Sequence, residues 1–172
     1  YGKYIGQVEN GVAHGKGVFN YDSGSKYEGD WENGKKNGKG LFFYNKDIFK
    51  GDKYDGNWVN DKQEGKGLYL FNDGDMYEGN WKNGRQCGKG IYYYNNGDRY
   101  EGDFKDGIME GKGIYFYSNG DRYEGDFRKG KRQGKGIFYT YTGDRFMGDY
   151  LNDQKTGTHV ILTKDGHVDR KS

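Results

Sequence analysis

The chain has 172 residues, of which 33 are glycine, none is proline and 18 % are aromatic. Such a large share of aromatic side chains excludes a solvated, disordered segment. The near balance of 28 basic and 26 acidic residues argues against nucleic-acid binding, which needs an excess of cations on one face. The single cysteine, Cys87, cannot form an intramolecular disulfide and fits a reducing compartment inside the cell.

A seven-fold repeat organises the chain. Successive units begin 23 residues apart, except for one step of 27. A period of this length indicates supersecondary units that are stable only when they stack. We therefore predict a single array over residues 1–172, with units that open at Tyr4, Tyr27, Tyr54, Tyr77, Tyr100, Tyr123 and Phe146 and with a degenerate last unit as a cap.

Each unit begins with ring, glycine and ring at alternate positions. In the fourth unit these are Tyr77, Gly79 and Trp81, and the residues between them, Glu78 and Asn80, are polar. Side chains two residues apart lie on the same face of a strand. The pattern therefore predicts a strand with one aromatic face and one solvated face.

A tight turn and a second strand follow in every unit. Pairs such as Asn83 and Gly84 favour the positive φ angles of two-residue hairpin turns. The next strand opens with Gly-Lys-Gly at 88–90 and continues with Ile91 and tyrosines, a composition typical of strands. We predict an all-β fold, an elongated, twisted antiparallel β-solenoid of about seven stacked β-hairpins.

The rings of the second strands recur in register from unit to unit, and the alternate positions, such as Val18, are also apolar. Both faces of this strand therefore require cover, unless one face is an exposed aromatic groove. We expect most of the rings to pack in the core and the rest to receive a helix or an extended segment of another protein. The candidates are Phe19, Phe42, Tyr69, Tyr92, Tyr115 and Phe138, with Tyr44, Tyr94 and Tyr117.

Two units depart from the pattern. Residues 45–53 add four positions to the second unit and should lengthen a loop or hairpin and interrupt the groove locally. The last unit lacks Gly-Lys-Gly and carries Val160, Ile161 and Leu162, which we predict to lie at an open sheet edge that pairs with another chain. The alternative is a simple cap folded over the last hairpin.

The residue types needed for catalysis are not arranged in any catalytic pattern. His14, His159 and His167 lie in unrelated registers, so no zinc-ligand spacing exists. The Asn-Gly-Asp turns lack the ligand spacing of a calcium loop and are expected to be ordinary turns. We predict no catalytic residues, no metal ligands and no cofactor, and hence a protein that is not an enzyme.

The unit Tyr123-Glu-Gly-Asp-Phe127, followed by Gly-Lys-Gly at 134–136, resembles the MORN repeat (membrane occupation and recognition nexus), and the resemblance extends from residue 4 to about 168. It implies a curved antiparallel β-solenoid and dimerisation through terminal repeats. MORN arrays occur in lipid kinases, junctional membrane proteins, radial spoke heads and protist cytoskeletal scaffolds. We therefore predict a structural scaffold for protein–protein interaction in the cytoplasm, in a ciliary, radial-spoke-like assembly or in the cytoskeleton.

Two alternatives remain open at this stage. The array could be the regulatory region of a larger enzyme, such as a lipid kinase. It could instead tether a membrane, although the lysine and glutamate columns of the repeat should largely cancel and leave only weak binding to anionic lipid. The candidate lipid contacts are basic residues near the turns: Lys35, Lys36, Arg85, Arg128, Lys129, Lys131 and Arg132.

Overall fold

The computed structural model describes residues 1–171, and nearly all of its regular secondary structure is β. Fifteen antiparallel strands lie in the sheet in their sequence order, so that each strand pairs with the strands before and after it in the chain. Seven hairpins and one further strand account for all of them. The predicted all-β fold of about seven stacked hairpins is confirmed.

The chain divides into two compact units of similar size, and the boundary lies within β8. Unit 1, Tyr1–Gln86, contains β1 (Gly2–Glu9), β2 (Val12–Tyr21), β3 (Lys26–Glu32), β4 (Lys35–Phe43), β5 (Lys53–Val59), β6 (Lys62–Leu70), β7 (Met76–Lys82) and the start of β8 (Arg85–Tyr93). Unit 2 begins at Cys87 and contains the rest of β8, then β9 (Arg99–Lys105), β10 (Ile108–Phe116), β11 (Arg122–Arg128), β12 (Lys131–Tyr139), β13 (Arg145–Leu151), β14 (Gln154–Leu162) and β15 (Val168–Lys171).

Glycine serves two different purposes in the Gly-Lys-Gly segment. The first glycine, for example Gly65 with φ +66°, lies in the left-handed region, where the strand has a bulge opposite Gly56 and Trp58. The second, Gly67, lies directly beneath the ring of Tyr54, and a Cβ at this position would lie 2.5 Å from Cε2 and Cζ of that ring. The first glycine therefore permits the bulge, and the second permits a ring to lie flat on the sheet.

The opening tyrosines and the aromatic residues four positions later form the core. We call this column of alternating rings the inner ladder. Its rings meet edge to face, as in the contacts of Tyr54 with Trp58 and Trp81, whose centroids are 5.2 and 5.1 Å away. Its members are Tyr27, Trp31, Tyr54, Trp58, Tyr77 and Trp81 in unit 1 and Tyr100, Phe104, Tyr123, Phe127 and Tyr150 in unit 2, all of them buried.

From Tyr27 to Tyr123, polar atoms of the inner ladder bond to the backbone. The hydroxyl of each opening tyrosine from Tyr27 to Tyr123 donates to a carbonyl three residues later; in Tyr54 this acceptor is Asn57 O, 3.0 Å away. The indole Nε1 of Trp58 donates to Gly40 O of the preceding repeat at 3.0 Å. Buried rings of this kind need such partners, and the indole bond ties one repeat to the next.

The last hairpin replaces the second glycine by a histidine. His159 is 4 % exposed; its ring lies over Gly148 and meets Tyr150 edge to face at 5.5 Å. It therefore continues the stacking of the inner ladder beyond Tyr150.

The segment Val160–Leu162 is not at an edge, contrary to the sequence-based prediction. Ile161 pairs with Phe146 of β13 on one side and with Asp169 of β15 on the other. The error arises because residues 168–171 add a fifteenth strand, which the repeat pattern does not contain. The homodimer predicted from this segment stays a prediction without an open edge to support it.

The insertion at 45–53 contains a short 3₁₀ helix, Asp47–Phe49. The side-chain Nδ2 of Asn72 donates to the backbone carbonyls of Ile48 and Lys50, both at 3.1 Å. The next turn of the chain thus fixes the insertion in place.

Candidate partner-binding surface

The second-strand rings lie on the same face as the inner ladder and form a second column, which we call the outer ladder. The strand register explains this, since Phe42 is paired with Tyr27 and side chains at paired positions lie on one face. Neighbouring ring centroids are 4.4 to 5.8 Å apart. The members are Phe19, Tyr21, Phe42, Tyr44, Tyr69 and Phe71 in unit 1 and Tyr92, Tyr94, Tyr115, Tyr117 and Phe138 in unit 2.

The outer ladder is less buried than the inner one. All of its rings are half-buried except Tyr69, which is buried with 7 % exposure. Within each unit the structure therefore places the predicted groove residues on the face of the inner ladder, and part of every predicted ring except Tyr69 is accessible. It places the aliphatic positions, such as Leu41, on the opposite face.

A column of aspartates holds the outer ladder, and the sequence analysis did not identify it. Asp98 accepts a hydrogen bond from the hydroxyl of Tyr115 at 2.9 Å and another from the backbone N–H of Ser118 at 2.8 Å. Asp52 does the same for Tyr69 at 2.6 Å and for Asn72 at 2.8 Å. Aspartates lie two residues before each opening aromatic from Tyr54 to Phe146, so their spacing of 23 residues was available as a signal.

The charges of this arrangement are set by its hydrogen bonds. Burial raises the pKa of the Asp98 carboxyl, but the hydrogen bonds from Ser118, Tyr115 and Asn96 outweigh it, so the pKa of Asp98 lies below its ordinary value. Burial raises the pKa of Tyr44 to about 12. The outer ladder therefore presents neutral hydroxyls at physiological pH.

The insertion extends the aromatic face in unit 1. The ring of Phe49 lies 6.1 Å from that of Tyr44, and Phe49 is 49 % exposed. Its neighbour Ile48 is 81 % exposed. The insertion thus adds accessible apolar surface beside the ladder, whereas we expected it to interrupt the groove.

Two of the predicted lipid contacts lie on the aromatic face. The ammonium of Lys36 is 4.8 Å from the ring centroid of Trp58 and 4.9 Å from that of Phe42. Burial lowers the pKa of Lys36. The guanidinium of Arg132 lies 5.3 Å from the ring of Tyr150 and bonds to the backbone O of Asp153. Lys36 and Arg132 therefore lie over rings of the inner ladder, and their contact with lipid stays a prediction.

The other five predicted lipid contacts are divided between the two units. Lys35 and Arg85 belong to unit 1, and the remaining three belong to one turn of unit 2. All five are exposed: Lys35, Arg85, Arg128, Lys129 and Lys131. Their role in lipid binding remains untested.

Residues 1–171 contain no group of three or more His, Cys, Asp or Glu side chains that could hold a metal ion. The same residues include no helix long and apolar enough to span a membrane. Cys87, half-buried, is a free thiol.

Comparisons with known proteins identify the repeat and the fold. The family model described as MORN repeat matches six segments, 4–26, 27–47, 54–76, 77–99, 100–122 and 123–145. No curated protein matches the chain significantly.

Two solved structures from Drosophila melanogaster resemble the chain. One is the TCP domain of SAS-4 (dCPAP) in complex with a proline-rich motif of Ana2 (dSTIL), with a TM-score of 0.61 and 14 % identity over 99 % of this chain and 90 % of that one. The other is the TCP10c domain of Sas-4, with a TM-score of 0.57 and 12 % identity over 100 % and 99 %. At these identities the likeness shows the fold alone.

Proposed function

This chain belongs to the MORN-repeat family, and we propose that it is a non-enzymatic scaffold whose outer ladder binds an extended, proline-containing segment of a partner protein. The observation that carries the proposal is the outer ladder itself, a column of half-buried rings with one accessible side. Tyrosine suits such a surface because it offers a rigid apolar ring and a polar tip.

The proposal of a proline-containing segment rests on two supports. Proline-rich segments adopt the polyproline II conformation before they bind, and aromatic-lined surfaces receive them at low entropic cost. The SAS-4 domain of similar fold was solved with a proline-rich motif of its partner. Neutral hydroxyls along the outer ladder, such as that of Tyr117, can donate to the carbonyls of a segment that lacks N–H groups at proline.

A peptide-binding experiment tests the proposal. Fluorescein-labelled peptides with a Pro-x-x-Pro pattern would be titrated with the full chain and followed by fluorescence anisotropy, next to the same peptides with alanine at each proline. We expect tighter binding of the proline peptides and at least a tenfold loss in the double variant Tyr94→Ala/Tyr117→Ala. Tyr141, 73 % exposed in a turn, supplies the control variant Tyr141→Ala.

Far-UV circular dichroism must show that the double variant keeps its sheet. If the alanine peptides bind as tightly as the proline peptides, or if the double variant binds as the wild type does, the outer ladder is not the binding surface. Unfolding of the double variant would instead assign these rings to the core.

We also propose an intracellular location in a ciliary, radial-spoke-like or cytoskeletal assembly, because MORN arrays serve as scaffolds in such structures. The test is the distribution of a fluorescently tagged chain in ciliated cells. We expect co-localisation with axonemal or cytoskeletal markers, and a uniform distribution would contradict the proposal.

Membrane tethering has weaker support from the charges of the opposite face. The lysine of Gly-Lys-Gly pairs with an aspartate of the neighbouring strand, as in Lys89 with Asp103 at 2.8 Å and Lys112 with Asp126 at 2.6 Å. Lysines paired in this way attract anionic lipid less than free ones. Pelleting of the chain with phosphoinositide vesicles at physiological salt would support membrane tethering.

A further inference from the structure

On the face opposite to the ladders, a basic residue pairs with a glutamate two positions on in several repeats, and the last hairpin lacks this pair. Arg99 pairs with Glu101 at 2.9 Å, and Arg122 approaches Glu124 at 3.9 Å, each within one strand. Arg145 occupies the same position in β13, but the residue two places on is Met147.

An apolar patch surrounds this position. Met147 lies between Ile137 and Val160 in the strand register, and Leu162 lies between Arg145 and Val168. Val168 is 57 % exposed, and the other four apolar side chains are half-buried. We define the terminal patch as Ile137, Met147, Val160, Leu162 and Val168 together with the exposed cations Arg145 and Arg170.

The terminal patch has a cationic rim. Arg170 is paired with Val160 in the register, and neither it nor Arg145 makes an ion pair within residues 1–171. The guanidinium of Arg145 lies 5.6 Å from the ring of Tyr139. The adjacent carboxylates already face cations, since Glu124 approaches Arg122 and Asp149 lies opposite Lys135. The patch therefore combines accessible apolar area with two positive charges that no carboxylate neutralises.

The geometry points to the chemistry of the occupant. Arg145 is on β13 and Arg170 is on β15, two strands away. Arg170 is also two residues beyond Val168, which is in register with Arg145 through Leu162. These offsets separate the two arginines by about 12 Å on the sheet. Two carboxylates at positions i and i+4 of an extended peptide are about 13 Å apart, and the side chain at i+2 lies on the same side between them. A second copy of the patch fits poorly, because it would bring two more guanidiniums against the first two.

We propose that the terminal patch binds an extended acidic segment of a partner protein, in which two carboxylates flank an apolar side chain. This surface lies on the face opposite to the outer ladder. A chain that uses both faces can hold two partners at once, and this proposal does not depend on the proposed function.

The test uses a labelled 11-residue peptide with the central sequence Glu-Ser-Leu-Ser-Glu. Two controls replace either both glutamates by lysine or the leucine by serine. Binding to the full chain is followed by fluorescence anisotropy. We expect saturable binding of the acidic peptide, with at least tenfold weaker binding of each control and a marked weakening by added salt.

The informative variant is Met147→Glu, which places here the acidic residue type that the second to sixth repeats carry and supplies Arg145 with an internal partner. We expect it to weaken binding of the acidic peptide at least tenfold without lowering the midpoint of thermal unfolding. Lys105→Gln, which removes an exposed cation elsewhere in unit 2, is the matched control and should bind as the wild type does.

Several results would overturn the proposal. These are equal binding of the acidic and basic peptides, equal affinity of the Met147→Glu and Lys105→Gln variants, and no saturation at millimolar peptide. Sedimentation that shows a dimer abolished by Met147→Glu would assign the patch to a second copy. Pelleting with anionic vesicles that this variant abolishes would assign it to a membrane.

Discussion

The substitution Gly67→Ala tests whether glycine is required beneath the rings of the inner ladder. A Cβ at this position would lie 2.5 Å from Cε2 and Cζ of Tyr54, whereas ordinary carbon contacts begin near 3.4 Å. The ring must therefore shift by roughly 1 Å. Tyr54 is fully buried between Trp58 and Trp81, so little room exists for such a shift.

The expected cost of Gly67→Ala follows from two contributions. Overpacking of a tight core costs about 1–3 kcal/mol. Displacement of the ring also strains the 3.0 Å bond from the Tyr54 hydroxyl to Asn57 O, worth about 1 kcal/mol. We therefore expect a loss of about 2–4 kcal/mol in the free energy of unfolding. Backbone strain adds nothing, because the φ of Gly67 lies outside the left-handed region.

A double-mutant cycle isolates the contact. Urea unfolding would be followed by the fluorescence of the three tryptophans, all of them in unit 1 and part of the inner ladder. In a Tyr54→Leu background the clashing ring atoms are gone, so Gly67→Ala should cost at least about 2 kcal/mol less than in the wild type. If the cost is the same in both backgrounds, the glycine is not required by the ring and the explanation fails.

Three further predictions concern stability. Asp98→Ala removes the acceptor of three hydrogen bonds, from Tyr115, Ser118 and Asn96, and should cost about 2 kcal/mol at pH 7. Because the pKa of Asp98 is lowered in the folded protein, this difference should shrink as pH falls through that pKa, and a pH-independent difference would contradict the assignment. His159→Gly should lower the free energy of unfolding by about 2 kcal/mol through the cavity left beside Tyr150, measured by urea unfolding, and no loss would show that the histidine is not part of the core. Lys36→Gln should leave the free energy of unfolding at pH 7 unchanged or slightly higher, since burial disfavours the ammonium. The wild type should gain stability relative to this variant as pH rises through the lowered pKa of Lys36. A constant difference between pH 7 and 10 would refute this.

The repeat pattern was sufficient to predict the hairpins, because ring, glycine and turn residues each have a local physical meaning. The alternation at Tyr77, Gly79 and Trp81 identified one face of a strand, and Asn83 with Gly84 identified the turn. Within each compact unit the candidate groove residues were likewise found to share a face, since register follows from the repeat itself.

Features that depend on packing between repeats could not be derived from the sequence of a single repeat. Nothing local to Lys36 or Arg132 shows that their charged groups lie over rings, because this depends on strands that the sequence analysis treated separately. The strand at 168–171 was not predicted because it has no counterpart in the other repeats. Its absence from the prediction led directly to the incorrect placement of Ile161 at an edge.

The sequential order of the strands has a consequence for how the chain acquires its structure. Since each strand bonds to its neighbours in the chain, no pairing requires closure of a long loop, and the contacts have low sequence separation. A hairpin that emerges from the ribosome can dock on the one before it without waiting for the C-terminal repeats. Duplication or deletion of a whole repeat of 23 residues would leave that local assembly step unchanged. Arrays of different length can therefore evolve by gain or loss of single repeats.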